Sequence, residues 1–168
     1  MQKVAIIGPG SNLCSEELYS FGVQLGQSIA APGRVIVCGG KGGFMEAVCK
    51  GAKMSPGTFN GQTIGILPED TSSEANPFVD IAIPTGIGIA RNIVIINTAD
   101  IIIAAGGGSG TLSELAFAWQ KGKTVLCLSQ FGGWAAELAG KNIDNRSKGL
   151  LVKVETIEEV IALLEVRS

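Results

Sequence analysis

A glycine-rich turn between two apolar segments constrains this chain more than any other feature. Residues 101–104 are an uninterrupted apolar run, residues 105–110 contain four glycines, and residues 115–119 are apolar without helix breakers. This order predicts a buried strand, a glycine turn and a helix N-terminus. A helix N-terminus offers unpaired N–H groups and the positive end of the helix dipole. The junction therefore predicts a binding site for a phosphate group.

The length and the net charge of the chain limit the classes of function that it can have. A chain of 168 residues with 46% hydrophobic residues suits one domain with a sizeable core, so we expect residues 1–168 to form a single phosphate-binding domain. The net charge of −2 provides no electrostatic footprint for nucleic acid. We therefore expect no nucleic-acid partner, and single-stranded DNA handling lacks the basic and aromatic residues that it requires.

Histidine is absent from the chain. This excludes Ser-His-Asp and Cys-His catalysis and removes the commonest transition-metal ligand. The cysteines show no C-x-x-C spacing and lie in or beside apolar runs, which favours reduced buried thiols over a zinc site. No run is long enough for a signal-peptide core or a membrane span. We expect a cytoplasmic protein with no metal, no required cofactor and no membrane contact.

Strand-like and helix-like segments alternate along the chain. The apolar strands are continuous, which predicts a three-layer α/β, Rossmann-like fold with a mainly parallel sheet of about seven strands. Thr156 and Glu159 fit a capping box before the last helix. The predicted strands are 3–7, 34–38, 63–67, 81–83, 100–104, 124–128 and 151–154; the main predicted helices are 15–31, 44–53, 89–99 and 156–166, one more follows the glycine turn, and 134–138 is a looser segment.

Three glycine turns follow predicted strands, beginning at Gly8, Gly39 and Gly106. In parallel sheets, ligands bind outside the carboxyl ends of the strands, so these turns should face one common edge. We expect the phosphate to bind through backbone N–H groups and the hydroxyl of Thr111. The candidate ligand-binding residues are Gly8, Gly10, Gly39, Gly40, Gly43, Gly107, Gly108, Ser109, Gly110 and Thr111.

Two familiar nucleotide motifs do not fit. The turn Gly8-x-Gly10 has Leu13 where the dinucleotide motif has its third glycine, and the second strand ends at Cys38 without an acidic residue for a ribose. The sequence Gly122-Lys123-Thr124 ends like a Walker A loop but has Phe117 in place of its first glycine. An NAD-dependent redox enzyme and an ATPase are therefore disfavoured.

The ordered motifs resemble a known superfamily. Residues 108–114 resemble the P-G-G-x-G-T-x-x-E motif of the lonely-guy family, often labelled lysine decarboxylases, and Arg91 matches the arginine of its M-H-E-R-K motif. The likeness covers most of the chain. The turn Gly8-Pro9-Gly10 and the G-x-G-x-A-R order at residues 86–91 resemble the molybdenum cofactor carrier branch more closely. Departures from the lonely-guy motif include Gly106 for proline and Asn92 for lysine.

This resemblance implies two functions. The carrier branch implies binding of a phosphorylated ligand, such as an AMP-like nucleotide or a molybdopterin cofactor. The lonely-guy family implies hydrolysis of the N-glycosidic bond of a nucleoside 5′-monophosphate, with Arg91 and Glu114 beside the ribose. A carboxylate suits an oxocarbenium-like transition state, and an arginine can orient it or contact the ligand. Pyridoxal-dependent lysine decarboxylation is not expected, and the closer likeness favours the carrier.

The same residues have purely structural interpretations. Thr111 with Glu114 also fits a capping box, with Thr111 at the N-cap and Glu114 at N3. Arg91 before an apolar helix is also compatible with a surface charge. Residues 39–43 either form a simple turn or a second ligand-contacting loop, and residues 70–77 are expected to be a solvated loop rather than a lid.

Apolar residues around two helices predict self-association. Ile93 lies on one face of the helix at 89–99, which is apolar more widely than a single stripe, and Phe117 lies off the stripe that includes Trp119. A helix that is apolar on several faces must be buried twice. We expect a homodimer, or a dimer of dimers, with Ile93, Phe117 or Trp119 in the contact.

Overall fold

Burial on both faces of the sheet explains why its strands are continuous apolar runs. The computed structural model describes residues 1–146 and 149–166. Within them, seven strands form one parallel sheet in the order β4-β3-β2-β1-β5-β6-β7. All five residues of the interior strand β5 are buried. The strands are β1 (Gln2–Ile7), β2 (Arg34–Cys38), β3 (Thr63–Leu67), β4 (Ile81–Pro84), β5 (Ile101–Ala105), β6 (Thr124–Leu128) and β7 (Leu150–Val154).

Helices cover both faces and complete the three-layer α/β fold that the sequence predicts. One apolar cluster lies between the sheet and α1 (Glu16–Ile29), α2 (Phe44–Met54) and α6 (Ile157–Glu165). A second cluster lies on the other face, against α3 (Asn92–Thr98), α4 (Ser109–Gln120) and α5 (Gly133–Leu138). The helix α6 begins with the predicted capping box of Thr156 and Glu159.

The chain changes direction across the sheet between β1 and β5. Strands β1 to β4 extend to one side and β5 to β7 to the other, while β1 pairs directly with β5 through Ile7 and Ala104. In open α/β sheets, ligands bind at such a switch point, beside the carboxyl ends of the strands. The glycine turns after β1, β2 and β5 meet at this edge, as predicted.

Two local predictions differ from the structure. The predicted helix at 89–99 is an α-helix only over Asn92–Thr98, since a 3₁₀ turn at Gly88–Arg91 precedes it. The segment expected to be loose at 134–138 is part of the short helix α5. The sequence did not predict this helix, because it begins at two glycines, Gly132 and Gly133, which favour turns and here both have positive φ. Among the described residues, no helix is both long and apolar enough to cross a membrane.

Candidate functional site

A cavity of about 470 Å³ opens at the switch point. Its wall combines the turn after β1, the turn after β2, the 3₁₀ turn before α3 and the first turn of α4. Both candidate catalytic residues line it, with five of the predicted glycine-loop residues and Thr111. The lining residues are Gly8, Pro9, Gly10, Leu13, Lys41, Met45, Pro68, Ile89, Arg91, Asn92, Gly108, Ser109, Gly110, Thr111 and Glu114.

The first turn of α4 faces this cavity with its backbone. The helix begins at Ser109, after Gly108 as N-cap, and no side chain caps it. An added Cβ on Gly110 would have no neighbour within 4 Å, so the space beside its backbone is open. The first N–H groups of an α-helix have no partner within the helix and carry the positive end of its dipole. Together with the buried Thr111, this turn can receive an anion.

Gly107 shapes the turn rather than lining the cavity. Its φ of +88° is a left-handed conformation, and an added Cβ would lie 2.2 Å from the hydroxyl oxygen of Thr111. The Gly107 carbonyl accepts a hydrogen bond from the backbone N–H of Trp134 at the start of α5. Any larger residue at position 107 would displace Thr111 from the cavity wall.

The capping-box interpretation of Thr111 and Glu114 is wrong. The helix starts two residues before Thr111, so this threonine is the third helical residue and not the N-cap. Glu114 lies almost one turn later, on the same face as Thr111. Only the three glycines at 106–108 separate β5 from the helix, so the helix begins earlier than the threonine suggested. Both side chains are buried at the cavity instead of closing a helix end.

Arg91 is a partly buried cation, with its side chain 12% exposed, and not the surface charge that its position in the sequence also allowed. Its Nη1 lies 3.6 Å from Oε1 of Glu114 and donates to Oδ1 of Asn92. Its buried Nε has no hydrogen-bond partner among the described residues. Burial lowers the pKa of Arg91, and the negative charge of Glu114 opposes that shift. A partly buried, incompletely paired guanidinium is suited to bind an anionic or polar ligand.

Glu114 is a buried carboxyl with an unusual pKa. Desolvation raises its pKa from 4.5 to about 7, although the neighbouring Arg91 opposes that rise. The carboxyl is therefore divided between its neutral and charged forms at neutral pH. Such a group can donate a proton or accept one without a large free-energy cost, as general acid–base chemistry requires.

Asn92 is a site residue that the sequence did not identify. Its amide nitrogen donates to Oγ of Ser113 at 3.0 Å and to the carbonyl of Gly110 at 3.4 Å. The Ser113 hydroxyl donates to the same carbonyl at 2.7 Å. Because Asn92 also accepts from Arg91, it connects the guanidinium to the first turn of α4. The sequence signal was its place directly after Arg91.

The predicted ligand-binding glycines of the turn after β2 have packing roles and do not contact the cavity. Gly39 packs against the guanidinium, since an added Cβ would lie 2.5 Å from Nη2 of Arg91. Gly40 donates its N–H to Cys38, and Gly43 is the N-cap of α2, packed on the backbone of the β1 turn. None of the three lines the cavity, whereas Gly8 and Gly10 of the β1 turn do.

Further lining residues lie outside the set of predicted ligand-binding residues. Lys41 adds a charged residue to the lining, and Met45, Pro68 and Ile89 contribute apolar surface. No local pattern singles out Met45 and Pro68, because only the packing of separate elements brings them to the cavity. Lys41 lies within the predicted turn at 39–43, which favours that turn's interpretation as a second ligand-contacting loop.

The segment at residues 70–77 is anchored at its end to the β2 turn. Asn76 is buried, and its side-chain amide donates to the carbonyls of Gly40 and Lys41. Its backbone N–H also donates to Gly40 at 2.8 Å. The preceding residues are largely exposed, as expected of a solvated loop, but the loop is held against the site.

Comparison with known proteins identifies the family. The model of the SLOG cluster4 family matches residues 1–161. A protein of Archaeoglobus fulgidus is 41% identical over 128 residues, 76% of this chain and 80% of the relative. The molybdenum cofactor binding protein of Rippkaea orientalis has a TM-score of 0.80 and 34% identity, covering 98% of this chain and 96% of its own. The molybdenum cofactor carrier protein of Chlamydomonas reinhardtii has a TM-score of 0.80 and 30% identity, covering 99% and 98%.

The family model and the two solved structures match nearly the whole chain. The chain belongs to the SLOG cluster4 family, within the lonely-guy-like superfamily, and its structural neighbours include molybdenum cofactor carrier proteins. The expected likeness to the carrier branch is confirmed.

Proposed function

We propose that this SLOG cluster4 protein binds a phosphorylated small molecule, a nucleotide or a molybdopterin-type cofactor, and acts as its carrier in the cytoplasm. One observation carries the proposal: the first turn of α4, the partly buried Arg91 and the buried Glu114 share a single cavity. The helix N-terminus would bind the phosphate, and Arg91 would bind a neighbouring polar group of the ligand. The molybdenum cofactor proteins with the same fold support a carrier role.

The size and lining of the cavity support a ligand of this class. A volume of about 470 Å³ lies in the range of small-molecule sites. Met45, Pro68 and Ile89 provide an apolar wall against which a flat heterocyclic ring can pack. A phosphate at one end and a ring at the other would then account for both kinds of surface in the cavity.

Thermal stability tests the proposal directly. A ligand that binds only the folded protein raises its melting temperature. AMP, GMP, CMP and a molybdopterin preparation would be compared with adenosine, which lacks the phosphate. We expect at least one phosphorylated compound to raise the melting temperature, adenosine to have a much smaller effect, Gly110→Leu to remove the difference, and Arg91→Ala to reduce the shift. Equal shifts for AMP and adenosine, or no shift with any compound, would refute the proposal.

The pKa of Glu114 favours a second candidate function, hydrolysis of a nucleoside 5′-monophosphate. A carboxyl with a pKa of about 7 can activate water at neutral pH, and its charged form can stabilise an oxocarbenium-like transition state. Chromatography of AMP incubated with the protein would detect free adenine and ribose 5-phosphate. Glu114→Gln keeps the shape of the side chain but removes the base. Product formed by the native chain and not by this variant would establish hydrolysis, and binding without product would leave the carrier function alone.

We further propose that the chain forms a homodimer, or a dimer of dimers, through an apolar surface beside the cavity. This surface comprises Ile81, Ile83, Ile87, Ile89 and Val94, each at least 36% exposed. It joins the edge strand β4 to the outer side of α3, near Ile93. Trp119, an expected contact residue, is only 3% exposed and donates to Asp144, so the contact must rest on other residues.

A further inference from the structure

Lys41 brings a second positive charge to the cavity, on a different wall from the first turn of α4. It lies in the turn between β2 and α2, and its side chain is 31% exposed. Its Nζ lies 2.7 Å from Oε1 of Glu69 and 3.4 Å from Oε2 of Glu74. Both carboxylates belong to the segment that follows β3, and neither lines the cavity. Lys41 therefore lines the cavity while its ammonium pairs with two carboxylates outside the lining.

The two ion pairs of Lys41 differ in strength. Glu69 makes the shorter contact and is 35% exposed, whereas Glu74 is 61% exposed. An exposed pair at the longer distance contributes little free energy, so an incoming anion can replace Glu74 at small cost. Asn76 would still hold the segment to the β2 turn through its hydrogen bonds to Gly40 and Lys41.

Lys41 and the first turn of α4 follow two strands that are not neighbours in the sheet. The turn with Lys41 follows β2 and the helix α4 follows β5, and β1 lies between these two strands. Neighbouring strands are about 4.8 Å apart, so the two strand ends are separated by roughly 10 Å. One phosphate group at the start of α4 would leave part of this distance for a second anionic group near Lys41.

We propose that Lys41 forms a second anion subsite, so that the ligand of this cavity carries two phosphate groups. This inference rests on the proposed binding of the first phosphate at α4. The charged side chains that line the cavity are Lys41, Arg91 and Glu114, two cations and one carboxyl. Glu69 and Glu74, which pair with Lys41, lie outside this lining, so displacement of the weaker Glu74 pair would leave Lys41 available to a second anionic group on a different wall from the α4 N-terminus. Binding of the second group displaces Glu74 from Lys41.

Calorimetric titration of the full chain with AMP, ADP and adenosine 3′,5′-bisphosphate tests the subsite. We expect ADP or the bisphosphate to bind about tenfold more tightly than AMP, as one added charge-assisted hydrogen bond provides. The preferred compound shows whether the two phosphates are adjacent or separate. Lys41→Gln should remove this gain, so that the affinity for the two-phosphate compound falls to that for AMP.

The two partners of one ion pair provide the sharpest test. Glu74→Gln removes the competing carboxylate, so it should increase the affinity for the two-phosphate ligand, whereas Lys41→Gln decreases it. A purely structural ion pair predicts changes of the same sign, because either variant breaks the pair. Lys50→Gln is a matched control on α2, since Lys50 lies outside the cavity, near the ring of Tyr19.

The outcomes separate this inference from the proposed function. Binding of AMP with no gain for either two-phosphate compound refutes the Lys41 subsite and leaves the α4 site intact. A gain that persists in Lys41→Gln, or changes of equal sign in the two variants, refutes it as well. If no phosphorylated compound binds the native chain, the proposed function and this inference both fail.

Discussion

Arg91 and Glu114 form an ion pair inside the cavity wall, with Nη1 and Oε1 3.6 Å apart and side chains only 12% and 8% exposed. Burial destabilises the charged form of Glu114 more than the nearby Arg91 stabilises it, since the pKa of the carboxyl still rises to about 7. An ion pair retained at such a cost is typical of functional sites more than of stabilising contacts.

Stability should therefore depend on pH through Glu114. A folded-state pKa of about 7, against an unfolded value near 4.5, means that the folded chain binds the additional proton between these values. The contribution of Glu114 to the free energy of unfolding is therefore largest below about pH 4.5, and it is lost as the pH rises through 7. This difference in pKa between the folded and unfolded states corresponds to a decrease of roughly 3 kcal/mol in the free energy of unfolding across this pH range.

Urea unfolding at pH 5.5, 6.5 and 7.5 measures this dependence. We expect Glu114→Gln to flatten the slope, because glutamine does not titrate. The chain has no histidine, the residue whose ordinary pKa lies in this range, so the difference between the two proteins should be easy to assign. Equal slopes for both proteins would contradict the raised pKa.

Asn92 should act on ligand binding through both Arg91 and Ser113. Its side chain accepts from the guanidinium and donates to Oγ of Ser113, so its removal frees Arg91 and loosens the first turn of α4. We expect Asn92→Ala to weaken AMP binding about tenfold, the effect of losing a hydrogen bond to a charged group. Asn97→Ala, at an exposed position of the same helix, is the control.

A double-mutant cycle distinguishes this role from a general loss of stability. In an Arg91→Ala background, Asn92→Ala should have a clearly smaller effect on AMP affinity, because one of its two targets is gone. Additive effects of the two substitutions on binding would show that Asn92 does not act through Arg91.

Gly110 should tolerate a side chain in the fold but not in the complex. Its added Cβ would have no neighbour within 4 Å, and leucine favours helices more than glycine does. We expect Gly110→Leu to retain the melting temperature within a few degrees and to abolish AMP binding, since the side chain would fill the approach to the backbone N–H groups.

Gln120→Leu is a control for Gly110→Leu, because it adds an apolar side chain at the exposed end of the same helix. For both variants, calorimetry measures the affinity for AMP and thermal unfolding measures the melting temperature. Unchanged AMP affinity in Gly110→Leu would exclude the first turn of α4 as the phosphate site.

The fold was predictable because its signals are local. Continuous apolar strands ended by glycine turns predicted the parallel sheet, and β2, β3 and β6 have the predicted bounds. The cavity could be predicted only in part. Arg91 and Glu114 followed from ordered motifs, whereas Lys41 and Asn92 act through contacts between separate turns. The pKa of Glu114 depends on burial by the whole fold, which no local pattern encodes.

The last prediction concerns assembly through the apolar surface beside the cavity. Ile87 is 51% exposed and Val94 36%, and no segment among the described residues covers them. Apolar surface of this extent is typical of a contact with another chain. Light scattering at micromolar concentration should give two or four times the mass of 17.3 kDa. Val94→Asp should lower that mass towards one chain, because a buried unpaired carboxylate opposes association. Ile143→Asp, a charge on another exposed apolar residue, should leave it unchanged. A native mass of one chain, or equal dissociation by both substitutions, would contradict this interface.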